Sequence, residues 1–156
     1  MYEFLEYEVR DVMSKPVTVG PDTTLAEVGE LLERTGFNAV PVISDGSALV
    51  GFVTSLDLLK AFSFGTETLL PQYDHIMRKH VSSVMQQVPD AVNPRTRLTR
   101  VLERMVATRN KSFPVVDPHD GSVVGIVARE DVMRALRHAE SGARPAAPGA
   151  NRDDSP

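Results

Sequence analysis

The feature that most constrains this chain is that it repeats itself. Val12-Met13 returns as Val84-Met85, 72 positions on, and Pro21, Thr23, Leu25, Val28 and Glu30 return as Pro94, Thr96, Leu98, Val101 and Glu103, each 73 positions on. Pro41-Val42 returns as Pro114-Val115, while Val50-Gly51, Val53 and Asp57 return as Val124-Gly125, Val127 and Asp131, 74 positions on. The spacing drifts by one residue only where loop formers are dense. Such a period is too long for a solenoid unit of roughly 20–50 residues. It reads as a duplicated supersecondary module, with an N-terminal segment at 1–8, a first repeat at 9–62, a linker at 63–80, a second repeat at 81–138 and a tail at 139–156.

Each half has the same pattern. An extended piece (Val17-Thr18-Val19; Asp90-Ala91-Val92) leads through a proline turn into an amphipathic helix. Leu25, Val28, Leu31 and Leu32 share one helical face, as do Leu98, Val101, Leu102, Met105 and Val106. Thr24 to Glu27 has capping-box form, and Gly36 suits the helix end. Two apolar strands follow, Ala39–Ile43 and Leu49–Val53, joined by the turn former Ser44-Asp45-Gly46-Ser47. Their counterparts are Phe113–Val116 and Val123–Val127. A last helix, about Ser55 to Phe62 and Arg129 to His138, closes each half. The fold class is therefore α/β (α+β), in strand–helix–strand–strand–helix repeats. A half of about 55 residues is marginal alone, and its strands are apolar on both faces, so the two halves are expected to pack sheet to sheet about a pseudo-twofold. In the linker, Leu69, Leu70, Ile76 and Met77 suggest partly helical packing, broken at Pro71. The tail is small, polar and proline-rich, and disorder is expected there.

Composition excludes several functions. The chain has 156 residues, 42% of them hydrophobic, and a net charge of −4, which disfavours nucleic acid as a partner. It has no cysteine, so disulfides, thiol catalysis and iron–sulfur clusters are excluded. No apolar run approaches the ~20 residues of a membrane span, and the N-terminus lacks signal-peptide character; no membrane association and a cytoplasmic location are expected. The four histidines are scattered without metal-ligand spacing. No phosphate loop, nucleophile elbow or pair of catalytic acids is present, so neither a catalytic nor a metal site is expected, and the chain is not read as an enzyme.

Val9-Arg10-Asp11-Val12-Met13, Asn38-Ala39-Val40-Pro41-Val42 and Gly51-Phe52-Val53-Thr54-Ser55-Leu56-Asp57 carry a resemblance to the cystathionine β-synthase (CBS) domain pair. Their counterparts Val81-Ser82-Ser83-Val84-Met85, Lys111-Ser112-Phe113-Pro114-Val115 and Gly125-Ile126-Val127-Ala128-Arg129-Glu130-Asp131 carry it again. The resemblance spans about residues 9–138. It implies a disc-like pair that assembles as a homodimer. It also implies regulatory adenosyl ligands (AMP, ADP, ATP or S-adenosylmethionine) in the clefts between repeats, and a role in energy sensing rather than catalysis. It further implies that Thr54 and Asp57, with Asp131 in the second copy, meet ribose and phosphate. The base would lie against the backbone before each strand proline (Asn38, Ala39, Val40 before Pro41; Lys111, Ser112, Phe113 before Pro114) and near Val17.

The residues allow this role without requiring it. Thr54 falls where a strand meets a helix, and open backbone N–H groups there attract anions. A carboxylate one turn in, Asp57, can accept from two vicinal ribose hydroxyls. Gly51 permits close backbone approach, and Val40 and Val53 can flank a flat base. Yet Thr-x-x-Asp is also nearly a capping box, sufficient in itself to start a helix. The second copy has Ala128 where the hydroxyl stood but keeps the acid, and Arg129, with Arg109 and Lys111, offers cations to a phosphate or simply a solvated basic edge. Two readings follow. One is a regulatory module binding an adenosyl ligand with unequal sites and passing its output to a separate effector protein. The other is a ligand-free structural module for dimerisation or interaction.

Overall fold

The computed structural model describes residues 2–63, 73–87 and 89–142. It is a mixed α/β protein that builds the same elements twice. Helix α1 (Leu25–Thr35) starts as its sequence predicts. The Thr24 hydroxyl accepts the Glu27 N–H at 3.2 Å, and the Glu27 carboxylate accepts the Thr24 N–H at 2.9 Å. Together these satisfy two donors that a helix start leaves open. Gly36 ends the helix at φ 72°, with its N–H on the Leu32 carbonyl. Strands β1 (Ala39–Ile43) and β2 (Leu49–Thr54) form an antiparallel hairpin, and α2 (Ser55–Lys60) follows β2 directly. The short helix α3 (Tyr73–Met77) and strand β3 (Gln86–Gln87) come next. The second set comprises α4 (Leu98–Thr108), β4 (Ser112–Val116), β5 (Val123–Ala128) and α5 (Arg129–Ser141).

The duplication extends to strand register. Val40 faces Val53 and Pro41 faces Phe52, just as Phe113 faces Val127 and Pro114 faces Ile126; each hairpin shifts register at the same place, after Val42 and after Val115. Strand β3, not anticipated from sequence, adds to β2 by pairing Gln86 with Phe52 and Gln87 with Gly51. Helix α5 runs three residues past the expected end at His138 and stops at Gly142, φ 73°. The calls on Leu69, Leu70 and Pro71, and on the tail from 143 onward, fall outside the described residues.

The chain divides into two compact units, and their borders cut across the order of the repeats. One unit is Val17–Pro89; the other joins Met1–Pro16 to Asp90–Pro156. Each therefore takes its leading segment from the stretch that precedes the first long helix of the other repeat. In the first unit Leu25 N–H donates to Lys79 O (3.0 Å), Val81 N–H to Thr23 O (2.7 Å) and Ser82 N–H to Pro21 O (3.2 Å). In the second unit the same three bonds run from Leu98 to Tyr7 (3.0 Å), from Val9 to Thr96 (2.9 Å) and from Arg10 to Pro94 (2.9 Å). The Leu98 bond supplies a partner at the start of α4, where Arg97 gives no side-chain cap. Each unit has its own apolar core. Leu25, Val28, Val40, Val42, Val53 and Val81 centre the first; Val9, Val12, Leu98, Val101, Phe113 and Val127 centre the second.

Gly51 and Gly125 owe their place to this exchange. A Cβ on Gly51 would lie 2.3 Å from the Met85 sulfur, and one on Gly125 would lie 2.7 Å from the Met13 sulfur and 3.0 Å from the Ser14 carbonyl oxygen. Ser14 is itself bonded to Ile126 in both directions, at 2.9 and 3.1 Å. The close approach foreseen at Gly51 is thus made to a methionine of the leading segment. A methionine can move aside, whereas a ladder carbonyl cannot. Gly125→Ala should cost about 1–3 kcal/mol in urea unfolding, the range for overpacking a tight site. A variant as stable as the wild type would contradict this packing.

Candidate functional site

The strand-to-helix junction after β2 gathers most of the residues singled out in the first repeat. Ala39 lies opposite Thr54 and Val40 opposite Val53. Asn38 O accepts the Ser55 N–H at 2.9 Å, so the backbone before Pro41 is tied to the start of α2. Pro41 O accepts the Val19 N–H at 3.1 Å, and Val17 lies two residues upstream of that contact, half-buried. Thr54 caps α2: its hydroxyl accepts the Asp57 N–H at 3.2 Å. Asp57 is 5% exposed. Its Oδ2 accepts from the Thr54 N–H (2.8 Å), from the Thr54 hydroxyl (2.9 Å) and, at longer range, from the Gln86 amide (3.4 Å). Every hydrogen bond that the described residues give this carboxylate falls on Oδ2. Beside it opens a cavity of about 360 Å³ lined by Asp57, Lys60, Ala61, Lys79, Ser83 and Val84.

The junction after β5 has the same backbone and a different use of charge. Ser112 lies opposite Ala128 and Phe113 opposite Val127, both buried, and Lys111 O accepts the Arg129 N–H at 2.9 Å. Asp131, 4% exposed, accepts the Ala128 N–H on Oδ2 at 2.8 Å. It differs from Asp57 on its other oxygen, where the Arg134 guanidinium donates to Oδ1 at 3.1 Å. Both oxygens of the second carboxylate are therefore engaged. Burial pushes the Asp131 carboxyl above its ordinary value, against the Ala128 N–H and the Arg134 charge, which pull it down.

Arg129, read from sequence as a cation for a phosphate or as part of a solvated basic edge, is exposed and bonded to nearby backbone. Its Nε donates to Asn110 O at 3.2 Å and its Nη2 donates to Arg109 O. The guanidinium clasps the turn that ends α4, where Arg109 is held at φ 61° without the help of a glycine. Two of its donor sites are committed to carbonyls that a helix end leaves open. Lys111 is exposed. Pro114 completes the buried strand, and the Phe113 ring lies under the Arg104 guanidinium, 4.8 Å from the ring centroid. The sequence reading missed Lys60, Lys79, Gln86 and Arg134. Lys60 and Arg134 were detectable, each being three residues beyond its acid on a helix. Gln86 reaches Asp57 only through the tertiary fold. Among the described residues no cluster of His, Asp and Glu could hold a metal ion, and no helix is long and apolar enough to cross a membrane.

A family model of the CBS domain matches residues 9–63 and again 81–138. The chain belongs to the CBS domain family. Among curated CBS relatives, CBSX1, a chloroplastic CBS domain-containing protein of Arabidopsis thaliana, is 32% identical over 88% of this chain and 68% of its own. Inosine-5'-monophosphate dehydrogenase of Mycobacterium leprae is 29% identical over 81% of this chain, which spans only 22% of that enzyme. Among solved structures, CBSX2 of Arabidopsis thaliana in complex with AMP aligns at TM-score 0.71 and 29% identity, covering 86% of this chain and 98% of that one. The CBS pair of protein MJ0100, in complex with 5'-methylthioadenosine and S-adenosyl-L-methionine, aligns at 0.70 and 25%, covering 85% and 98%.

The raised carboxyl of Asp131 carries a pH signature. A carboxyl whose pKa rises on folding favours the fold in its protonated form; that contribution is full below the ordinary aspartate value and fades as pH rises through the native one. Relative to Asp131→Asn, which has no such proton, the wild type should gain stability as pH falls from about 7 to about 4. Parallel denaturant titrations across this range measure the difference, and a wild type that loses ground on acidification would contradict the assignment.

Proposed function

We propose that this chain is a regulatory module that binds an adenine nucleotide or another adenosyl ligand, principally at the junction between β2 and α2. One observation carries the reading: Asp57 is buried and all its hydrogen bonds from described residues fall on one oxygen, while a cavity opens beside it. A carboxylate so held can accept from a ribose diol without giving up the bonds that orient it. Thr54 stands at the same junction with its hydroxyl bonded to Asp57, and the half-buried Asn38 and Val17 offer flanks for a base, whereas Val40, Pro41 and Val53 are buried and would reach a ligand only through their backbone. The adenosyl ligands present in the CBSX2 and MJ0100 structures support this choice of ligand class.

The second junction, with Lys111, Ser112, Phe113, Pro114, Arg129 and Asp131, is the weaker site in this reading. Arg134 takes the oxygen that Asp57 leaves open, and Ala128 brings no hydroxyl. Taken by itself, that junction favours the alternative of a ligand-free structural module. The chain is read as non-enzymatic and cytoplasmic, with its output passed to a separate effector protein. An apolar groove of about 340 Å³ between α4 and α5 supports self-association, because Val106 and Met133 at its rim are 74% and 57% exposed.

Thermal unfolding tests the proposal. AMP, ADP, ATP or S-adenosylmethionine should raise the wild-type melting temperature in a concentration-dependent way. Asp57→Asn keeps an acceptor for the Thr54 N–H, so it should fold normally yet bind about tenfold more weakly, a loss of ~1.4 kcal/mol. A wild type that responds to none of these ligands, or an Asp57→Asn variant protected as well as the wild type, would reject it.

A further inference from the structure

The duplication gives each position on α4 and α5 a counterpart on α1 and α2, and the two helical faces differ in charge and in depth. In the second unit the groove between α4 and α5 is lined by Leu102, Val106 and Met133, with Arg109 and Arg129 in the same wall. Arg137, next in sequence to the lining Leu136, is exposed beside them. Neither Arg109 nor Arg137 has a carboxylate partner among the described residues. Arg129 keeps its charge while bonded to two carbonyls. Of the exposed acids on these helices, Glu103 is paired with Arg100 at 3.6 Å, which leaves Glu130 against three arginines. The rim of this apolar face is therefore basic.

The first unit reverses the pattern. The counterparts of Arg109, Arg129 and Arg137 are Gly36, Ser55 and Ser63, all uncharged, and the counterpart of Val106 is Glu33. Glu30, one turn before Glu33 on α1, is exposed as well, and neither glutamate has an ion pair among the described residues. The apolar character persists: Leu59, the counterpart of Met133, is 68% exposed, and Leu56 is 57% exposed where the second unit has Glu130. Leu102 is replaced by Gly29. A Cβ on Gly29 would meet Leu58 at 3.5 Å and Met77 at 3.6 Å, ordinary contacts, so packing within the unit does not demand a glycine there. Glycine weakens a helix interior, yet α1 carries one and is shallower by a leucine side chain at this point.

We propose that the acidic-rimmed α1–α2 face of one copy docks on the basic-rimmed α4–α5 face of a second copy of this chain, unlike face to unlike face. Charge decides the choice. Like faces in contact would bring two acidic rims together and two basic rims together, and like charges across an interface oppose association. Unlike faces set Glu30 and Glu33 against Arg109 and Arg137. They also give the protruding Val106 and Met133 the room that Gly29 leaves. Each copy carries one face of each kind, so two such contacts can close a dimer. The inference rests on the self-association reading above, to which it adds which face meets which, and it does not depend on the adenosyl ligand.

Sedimentation equilibrium of the full chain tests it. The wild type should dimerise, and the dimer should weaken about tenfold or more between roughly 0.05 and 0.5 M NaCl, because salt screens attraction between exposed charges. Glu30→Arg with Glu33→Arg should weaken the dimer at least about tenfold. Adding Arg109→Glu and Arg137→Glu to that same chain should restore it, because the reversed rims attract again. Pairing of like faces gives the opposite signature: salt strengthens the dimer, and reversing one rim in every copy changes nothing. That result would overturn the inference while leaving self-association in place. A wild type that stays monomeric at every concentration reached would reject both. The salt dependence is read on the wild type, so the test stands even if a reversed chain fails to fold.

Discussion

The architecture turns on one short hydrogen bond made twice: the last N–H of a strand donating to a buried carboxylate three residues into the following helix. Thr54 gives it to Asp57, and Ala128 gives it to Asp131, each at 2.8 Å. The bond fixes how α2 leaves β2 and how α5 leaves β5, and it satisfies a donor at the helix start. It also places a charge where water is scarce. A buried carboxylate must be compensated, and the two units do so differently. In one, a hydroxyl and a backbone N–H share a single oxygen; in the other an arginine takes the second oxygen as well.

That difference gives two copies of one fold unequal chemistry. Asp131 resembles a closed structural ion pair, with a carboxyl pushed up by burial and held by Arg134. Asp57 keeps an uncommitted oxygen beside an open, lysine-lined cavity. The leading segments contribute to the contrast, because the residues at equivalent places, Tyr7 and Lys79, come from stretches of chain outside the strands and helices that define the repeat. The same segments bring Met13 and Met85 onto Gly125 and Gly51. At each of these glycines the close approach is taken up by the protein's own methionine sulfur.

Much of this was legible in the sequence because the signals were local. The capping box at Thr24, the stop at Gly36, the paired strands around Pro41 and Pro114 and the two acids at Asp57 and Asp131 follow from spacing and from the duplication. What was not legible needed distant chain. The exchange of leading segments rests on bonds such as Leu25 to Lys79 and Leu98 to Tyr7, which no periodicity announces. For Arg129 the sequence leaves a phosphate contact and a solvated basic edge both open, because its charge is visible there, whereas the carbonyls of Arg109 and Asn110 that it clasps are not. Arg134 and Lys60 were visible as i, i+3 partners of the acids, but only the fold shows that one bonds its acid and the other does not.

The central claim is that one junction in each chain is built to receive an adenosyl ligand and its sister is largely closed. Calorimetric titration of the full chain with AMP tests it most directly. The account predicts one tight site per chain, with any second site weaker by about tenfold or more, ~1.4 kcal/mol. Two equal and independent sites per chain, or no binding at any concentration reached, would contradict it.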